Sequence, residues 1–189
     1  MKNFNIIIAG AGGQGLITLL QVISEAAFLD GYDVKTSELH GLSQRGGSVE
    51  THIKIGKEVM SPLIVKGEAD LVIGLEMLEG LRALPFSNEK TLFVINKHIL
   101  PFEGSLPEKS ILKKIEENIG KKGYIVSASD ICKEKFGKEV LSGAYLFGFA
   151  VSNNLIPISR KSALQALERV VPEKHLQINK EAFLEAEKK

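Results

Sequence analysis

The sequence predicts an α/β protein with a Rossmann-like open sheet, mostly parallel, an antiparallel hairpin insertion and C-terminal helices. Three observations predict it. An N-terminal apolar run (Phe4, Ile6, Ile7, Ile8, Ala9) meets a glycine cluster at Gly10 to Gly15, and an apolar helical pattern starts at once with Leu16, Ile17, Leu19, Leu20, Val22 and Ile23. Short apolar runs at 69–75, 91–96 and 124–127 then alternate with helical stretches, the order of a parallel sheet. Residues 48–64 break that order with a half-exposed alternation turned at Gly56-Lys57, the mark of an antiparallel hairpin.

In chain order, Gly10, Gly12 and Gly15 form G-x-G-x-x-G. In that pattern the first glycine permits a tight turn, the second admits a bound group close to backbone, and the third lets helix pack on strand. Amides at the helix start face outward and favour an anion. The same turn also serves simply to join strand to helix, and both readings stay open. Gly31 ends the helix, and Asp33 to Glu38 reads as a second strand. Glu38 stands near where a dinucleotide fold places its ribose-binding acid, although capping a turn is the favoured role in so atypical a loop.

Leu39-His40-Gly41-Leu42-Ser43-Gln44-Arg45-Gly46-Gly47 has neither helical nor strand period and reads as a loop that carries a site. Ser48 to Ile55 and Glu58 to Ile64 are the two arms of the expected hairpin. Beyond it come the strand at 69–75, a helix carrying Glu76, Glu79 and Arg82 up to Pro85, and the strand 91–96. A helix follows from Glu108 to Asn118, ended by Gly120 and Gly123, then a strand at 124–127 and a short helix at 129–136. Residues 139–155 read as one largely apolar helix whose small residues Ser142, Gly143, Ala144, Gly148 and Ala150 allow close packing. A helix from Ser159 to Val170 is ended by Pro172, and Asn179 caps a last one through Glu187. No linker or repeat divides residues 1–189, so one domain is expected.

Composition sets bounds. The chain of 189 residues has a net charge of +1, 25% charged and 44% hydrophobic residues, which gives no argument for nucleic acid or an anionic membrane. No apolar stretch approaches the ~20 residues of a spanning helix. Met1-Lys2-Asn3 runs straight into the first strand, leaving no room for a signal peptide, so a cytoplasmic protein is expected. The lone cysteine, Cys132, excludes an internal disulfide and a multi-cysteine cluster. Lys133 and Lys135 could lower its thiol pKa, but an inert cysteine is the simpler reading.

In an open parallel sheet the carboxyl ends of the strands share one edge, where ligands bind. The tips there are Gly10 to Gly15, Glu38 to Gly47, Leu75 to Glu76, and Asn96 to His98. They supply donors (backbone amides, Gln14, Arg45), acceptors (Glu38, Glu76) and imidazoles (His40, His98). Arg45 before Gly46-Gly47 is the most informative, because a guanidinium forks onto phosphate or carboxylate while glycines let backbone approach. His40 bonding within its own loop, and Glu76, Glu79 and Arg82 forming an ion-pair ladder on one helix face, are the plainer alternatives. His52 and His175 have no partners in their own segments. No catalytic set and no metal-ligand cluster emerges, so the residues alone define an anion-binding α/β domain with an arginine loop.

Taken together, Gly10-Ala-Gly-Gly-Gln-Gly15, His40-Gly-Leu-Ser-Gln-Arg-Gly-Gly47 after Glu38, Ser61-Pro62, Gly67-Glu-Ala-Asp70 and Leu75-Glu76-x-x-Glu79-x-x-Arg82 resemble the gamma-type subunit of 2-oxoacid:ferredoxin oxidoreductases. The likeness runs from residue 6 to about residue 84 and more loosely to the C-terminus. The form at 40–47 is similar to that of the indolepyruvate branch, whose small subunit is free-standing; pyruvate, 2-oxoisovalerate and 2-oxoglutarate enzymes are the alternatives. The resemblance implies a complex that converts an aryl pyruvate, coenzyme A and oxidised ferredoxin into aryl-acetyl-CoA, carbon dioxide and reduced ferredoxin. It also implies that thiamine diphosphate and [4Fe–4S] clusters belong to a large partner subunit, that this chain binds no cofactor tightly, and that it is inactive alone. Under it, Gly10, Gly12, Gly13, Gln14, Gly15, Glu38, His40, Ser43, Gln44, Arg45, Gly46 and Gly47 are expected to hold anionic parts of coenzyme A or to shape the entrance. A stand-alone dinucleotide-binding oxidoreductase and a purely structural docking subunit are the readings from other classes.

Overall fold

The computed structural model describes residues 3–41, 46–101, 106–120 and 123–188. Six strands form one sheet: β1 (Phe4–Ala11), β2 (Asp33–His40), β3 (Ser48–Gly56), β4 (Leu71–Gly74), β5 (Leu92–Asn96) and β6 (Gly123–Val126), in the order β2-β3-β1-β4-β5-β6. β1, β4, β5 and β6 pair in parallel, whereas β3 runs antiparallel to both β1 and β2. The helices are α1 (Leu16–Leu29), α2 (Met77–Arg82), α3 (Glu108–Ile119), α4 (Ala128–Phe136), α5 (Ser142–Ser152), α6 (Arg160–Val170) and α7 (Glu173–Glu185).

Both faces of the central strands are buried, and their period of two divides the core. Ile6, Ile8, Leu71, Ile73 and Val94 face the large layer with α1, α4, α5, α6 and α7. Ile7, Ala9, Val72, Phe93 and Ile95 face the smaller one with α2 and α3.

The hairpin is present, but with other arms. It is formed by β2 and β3, with residues 41–47 as its connection. Residues 58–64, read from sequence as the second arm, form no strand. β3 already has β1 on one edge and β2 on the other, so no edge is left to pair with them. That segment instead crosses the sheet, held by Val59 N–H on the Asp33 carboxylate (2.7 Å) and Ile64 N–H on His52 Nδ1 (3.0 Å). Because Nδ1 accepts, the ring proton sits on Nε2, 3.0 Å from Glu50, and the ring edge meets Phe86 with centroids 5.2 Å apart. His52 is thus a structural residue and, contrary to the sequence reading, one of its partners, Glu50, lies in its own strand; Phe86 lies outside it.

Two C-terminal boundaries also move. The run at 139–155 divides into a 3₁₀ turn, Glu139–Leu141, and α5, which ends at Ser152 with Asn153 as its cap, and Asn154 just beyond takes a left-handed conformation (φ 55°). Pro172 both ends α6 and stands as the N-cap of α7, where its missing N–H costs nothing. Asn179 therefore lies inside α7, its side chain donating to the His175 carbonyl at 2.8 Å, rather than capping a helix.

Of the small residues in α5, Gly148 answers to close packing: a Cβ there would stand 2.2 Å from the Phe183 carbonyl oxygen. Alanine gains about 1 kcal/mol of helix propensity, but a backbone atom on α7 cannot yield cheaply. Gly148→Ala is expected to cost about 2 kcal/mol net and to lower Tm by about 5 °C in thermal denaturation. Gly143→Ala, whose Cβ would meet Leu19 at an ordinary 3.7 Å, is expected to leave Tm unchanged or slightly raised.

Candidate functional site

The carboxyl edge of the parallel strands gathers the predicted tips. At Gly10 β1 runs past the end of β4 while still paired with β3; a Cβ there would lie 2.8 Å from Gln14 Oε1 and 3.0 Å from Leu75 Cβ, so only glycine fits. Gln14 folds back, its Oε1 accepting the Ala11 N–H at 2.8 Å, so its carbonyl is used inside the turn. Gly13 and Gly15 have φ of 100° and 80°, a region that favours glycine. Gly15 is the N-cap of α1 without a side-chain cap, which leaves first-turn amides without an intrahelical acceptor.

The foot of the hairpin is clasped to this turn. Gly12 N–H donates to the Gly47 carbonyl (2.9 Å), and Gly46 N–H donates back to the Gly12 carbonyl (3.3 Å). On the other limb Gly41 N–H donates to the Ser48 carbonyl (3.1 Å). The expected site residues Ser43, Gln44 and Arg45 lie outside the described residues; of the limbs that flank them, Gly46-Gly47 is bonded to the glycine turn and Gly41 is bonded to Ser48 of β3. Sequence reasoning treated the glycine turn and the loop as separate tips; the structure joins the foot of the loop, Gly46-Gly47, to the turn.

Glu38 and His40 stand apart from that junction. Glu38 lies opposite Thr51, and Thr51 opposite Ile8, so β3 separates it from β1. In a dinucleotide fold the second strand adjoins the first; here an antiparallel strand intervenes. Glu38 Oε2 instead meets His40 Nε2 at 3.1 Å on the exposed edge.

The opposite wall is α2. Leu75 N–H donates to the Ala9 carbonyl at 2.8 Å, joining the tips of β1 and β4, and Met77 N–H donates to the His98 carbonyl at 2.8 Å, joining β4 to β5. Buried Glu76 caps α2, its carboxylate accepting the Leu78 N–H (2.9 Å) and the Glu79 N–H. Burial pushes its carboxyl above the ordinary value, opposed by those two amides and assisted by the Glu79 charge. Glu79, also buried, accepts from Ser48 Oγ at 2.5 Å and pairs with Arg82. The expected ion-pair ladder is thus a cap plus a latch on β3. The Ser48 link spans 31 residues and was not legible in the sequence. Nor was the role of Asn96, a fully buried residue whose amide donates to the Leu75 carbonyl (3.0 Å) and Ser129 Oγ (2.7 Å) and accepts from Ser129 N–H (3.1 Å).

Cys132 is fully buried, and burial followed by the Glu185 charge pushes its thiol up to about 12. It is inert, as the simpler sequence reading had it. Among the described residues no group of three His, Cys, Asp or Glu could hold a metal ion, and no helix is long and apolar enough to cross a membrane.

Two measurements check this geometry. Ser48→Ala withdraws a donor from Glu79 at an exposed position and is expected to cost about 0.5–1.5 kcal/mol in denaturant unfolding, while Ser61→Ala on the surface costs nothing measurable. Iodoacetamide at pH 8 is expected to leave the native thiol unmodified over hours and to label one thiol per chain after denaturation; rapid native labelling would contradict the buried assignment.

Residues 5–188 match the pyruvate ferredoxin/flavodoxin oxidoreductase family. The chain is 34% identical to indolepyruvate oxidoreductase subunit IorB of Methanothermobacter thermautotrophicus, covering 96% of this chain and 94% of the relative. It is 32% identical to the subunit of that name from Thermococcus kodakarensis, covering 97% and 94%. The fold matches the gamma subunit of a keto/oxoacid ferredoxin oxidoreductase from Geobacter sulfurreducens (TM-score 0.72, 20% identity, 98% of this chain and 96% of that one). It also matches 2-oxoglutarate:ferredoxin oxidoreductase from Magnetococcus marinus, determined with 2-oxoglutarate, coenzyme A and succinyl-CoA (TM-score 0.75, 19% identity), where it covers all of this chain and 31% of the other. With its glycine turn, its clasped hairpin and this near-complete match, the chain belongs to the pyruvate ferredoxin/flavodoxin oxidoreductase family.

Proposed function

We propose that the chain, as one gamma-type domain over residues 1–189, is the small subunit of a cytoplasmic indolepyruvate:ferredoxin oxidoreductase, inactive on its own. The relatives named for indolepyruvate, each at least 30% identical and matched nearly end to end, support the substrate class. The reaction joins an aryl pyruvate to coenzyme A as a thioester, releases carbon dioxide, and passes two electrons to ferredoxin. Thiamine diphosphate and [4Fe–4S] clusters fall to a large partner subunit, since a cluster needs about four thiolates and this chain has one cysteine.

The observation that carries the role of this subunit is the clasp between Gly12 and the Gly46-Gly47 foot. It ties the foot of the segment that bears Ser43, Gln44 and Arg45 to the turn that opens α1, and a guanidinium together with first-turn amides suits the phosphates of coenzyme A. A structural neighbour of the same fold was determined with coenzyme A bound. The second reading is a docking role for the same loop; exposed Met60, Leu63 and Val65 on the segment after β3 offer apolar surface to a partner.

Arg45→Ala decides between them. A KM for coenzyme A raised at least tenfold with normal assembly supports the ligand site. Loss of the large subunit from the purified complex supports docking, and an unchanged KM with normal assembly removes both roles. Assay of the complex with indolepyruvate, pyruvate, 2-oxoisovalerate and 2-oxoglutarate tests the substrate class; preference for an aliphatic oxoacid would overturn it.

A further inference from the structure

Gly15 also borders a pocket of about 360 Å³ lined by α1, the turn at 138–141, α5, the end of α6 and the start of α7. That volume falls within the range of small-molecule sites, about 300–1,000 Å³. Its floor is apolar, with Leu19, Val22, Phe147 and Leu167 all buried. Its polar lining is sparse and includes Lys138, His175 and Asn179. Gly143 and Ala144 leave the space open. The nearest neighbour to a Cβ on Gly143 is 3.7 Å away, so a small residue there is not demanded by packing as it is at Gly148.

We propose that this pocket binds a small aromatic monocarboxylate, with its ring among Leu19, Val22 and Phe147 and its carboxylate on Lys138. The charge pattern selects an anion. Lys133 pairs with Glu139 at 2.7 Å and Lys135 with Glu185 at 2.5 Å, whereas Lys138 has no ion-pair partner among the described residues. Gly15, Leu141 and Pro172, the N-caps of α1, α5 and α7, all line the pocket, and none of the three helices has a side-chain cap, which adds to the positive potential there. One unpaired cation matches one negative charge, so a monoanion is favoured over a polyphosphate. The choice of an aromatic body rests on the indolepyruvate reading above, since arylpyruvates are the substrates of such a complex and arylacetates are what its thioester products yield on hydrolysis.

The test uses the full-length chain with indole-3-acetate and phenylacetate as probes, followed by saturation-transfer NMR and calorimetry. Binding is expected with Kd on the order of 0.1–1 mM, as suits a ligand of this size. Lys138→Gln is expected to weaken indole-3-acetate about threefold to tenfold and to leave the neutral indole-3-acetamide unchanged. Ala144→Phe, which fills the cavity, is expected to abolish both. Should Ala144→Phe fail to fold, the charge-selective effect of Lys138→Gln still decides. No binding at several millimolar, or binding that neither variant alters, overturns the site. Preference for 2-methylpropanoate over both arylacetates overturns the aromatic assignment. The oxoacid preference of the assembled complex is measured separately, so failure of the pocket and failure of the substrate reading are told apart.

Discussion

The arrangement at the carboxyl edge depends on the pair of backbone hydrogen bonds between Gly12 and the hairpin foot, Gly47 on one side and Gly46 on the other. Each contributes only about 0.5–1.5 kcal/mol net, yet together they connect two segments more than 30 residues apart in a geometry that needs glycine. Gly46 has φ of 70°, and Gly13 and Gly15 beside it are also left-handed. Ser48 then carries the same connection sideways to α2 through buried Glu79. The loop bearing Arg45 is thereby tied at its base to the turn that opens α1.

The insertion of β3 between β1 and β2 explains why the glycine motif does not make an ordinary dinucleotide site. β2 is displaced one place outward, and its acid, Glu38, meets His40 on an exposed edge instead of facing the turn. One amide of the turn is already spent on the hairpin. What remains is a helix start whose first-turn amides have no intrahelical acceptor, the kind of terminus that favours an anion. The same insertion occupies both edges of β3 and displaces residues 58–64 across the sheet, where His52 accepts the Ile64 amide.

Buried polar groups in this protein are structural and mostly satisfied in pairs. Asn96 binds β4 and α4 with three hydrogen bonds, and Glu76 spends both carboxylate oxygens on the start of α2. Cys132, with its thiol pushed up to about 12, has no reactive character. Such groups are costly if left unpaired and inert when paired, which explains why several residues with chemical potential in the sequence do no chemistry in the fold.

By itself the sequence determined the strand–turn–helix start, the parallel strands and their helices, the glycine turn and the arginine loop as the places of interest, and the family they resemble. All of these are local signals: hydrophobic period, glycine spacing and contiguous motifs. Only the tertiary structure decided that β2, not residues 58–64, is the partner of β3, that Pro172 opens α7, that Ser48 reaches Glu79, and that Gly143 and Ala144 border a cavity while Gly148 meets α7. Those outcomes turn on which edge is free and which backbone approaches which residue. Such competitions are settled between segments distant in the chain, and no period within either segment records their result.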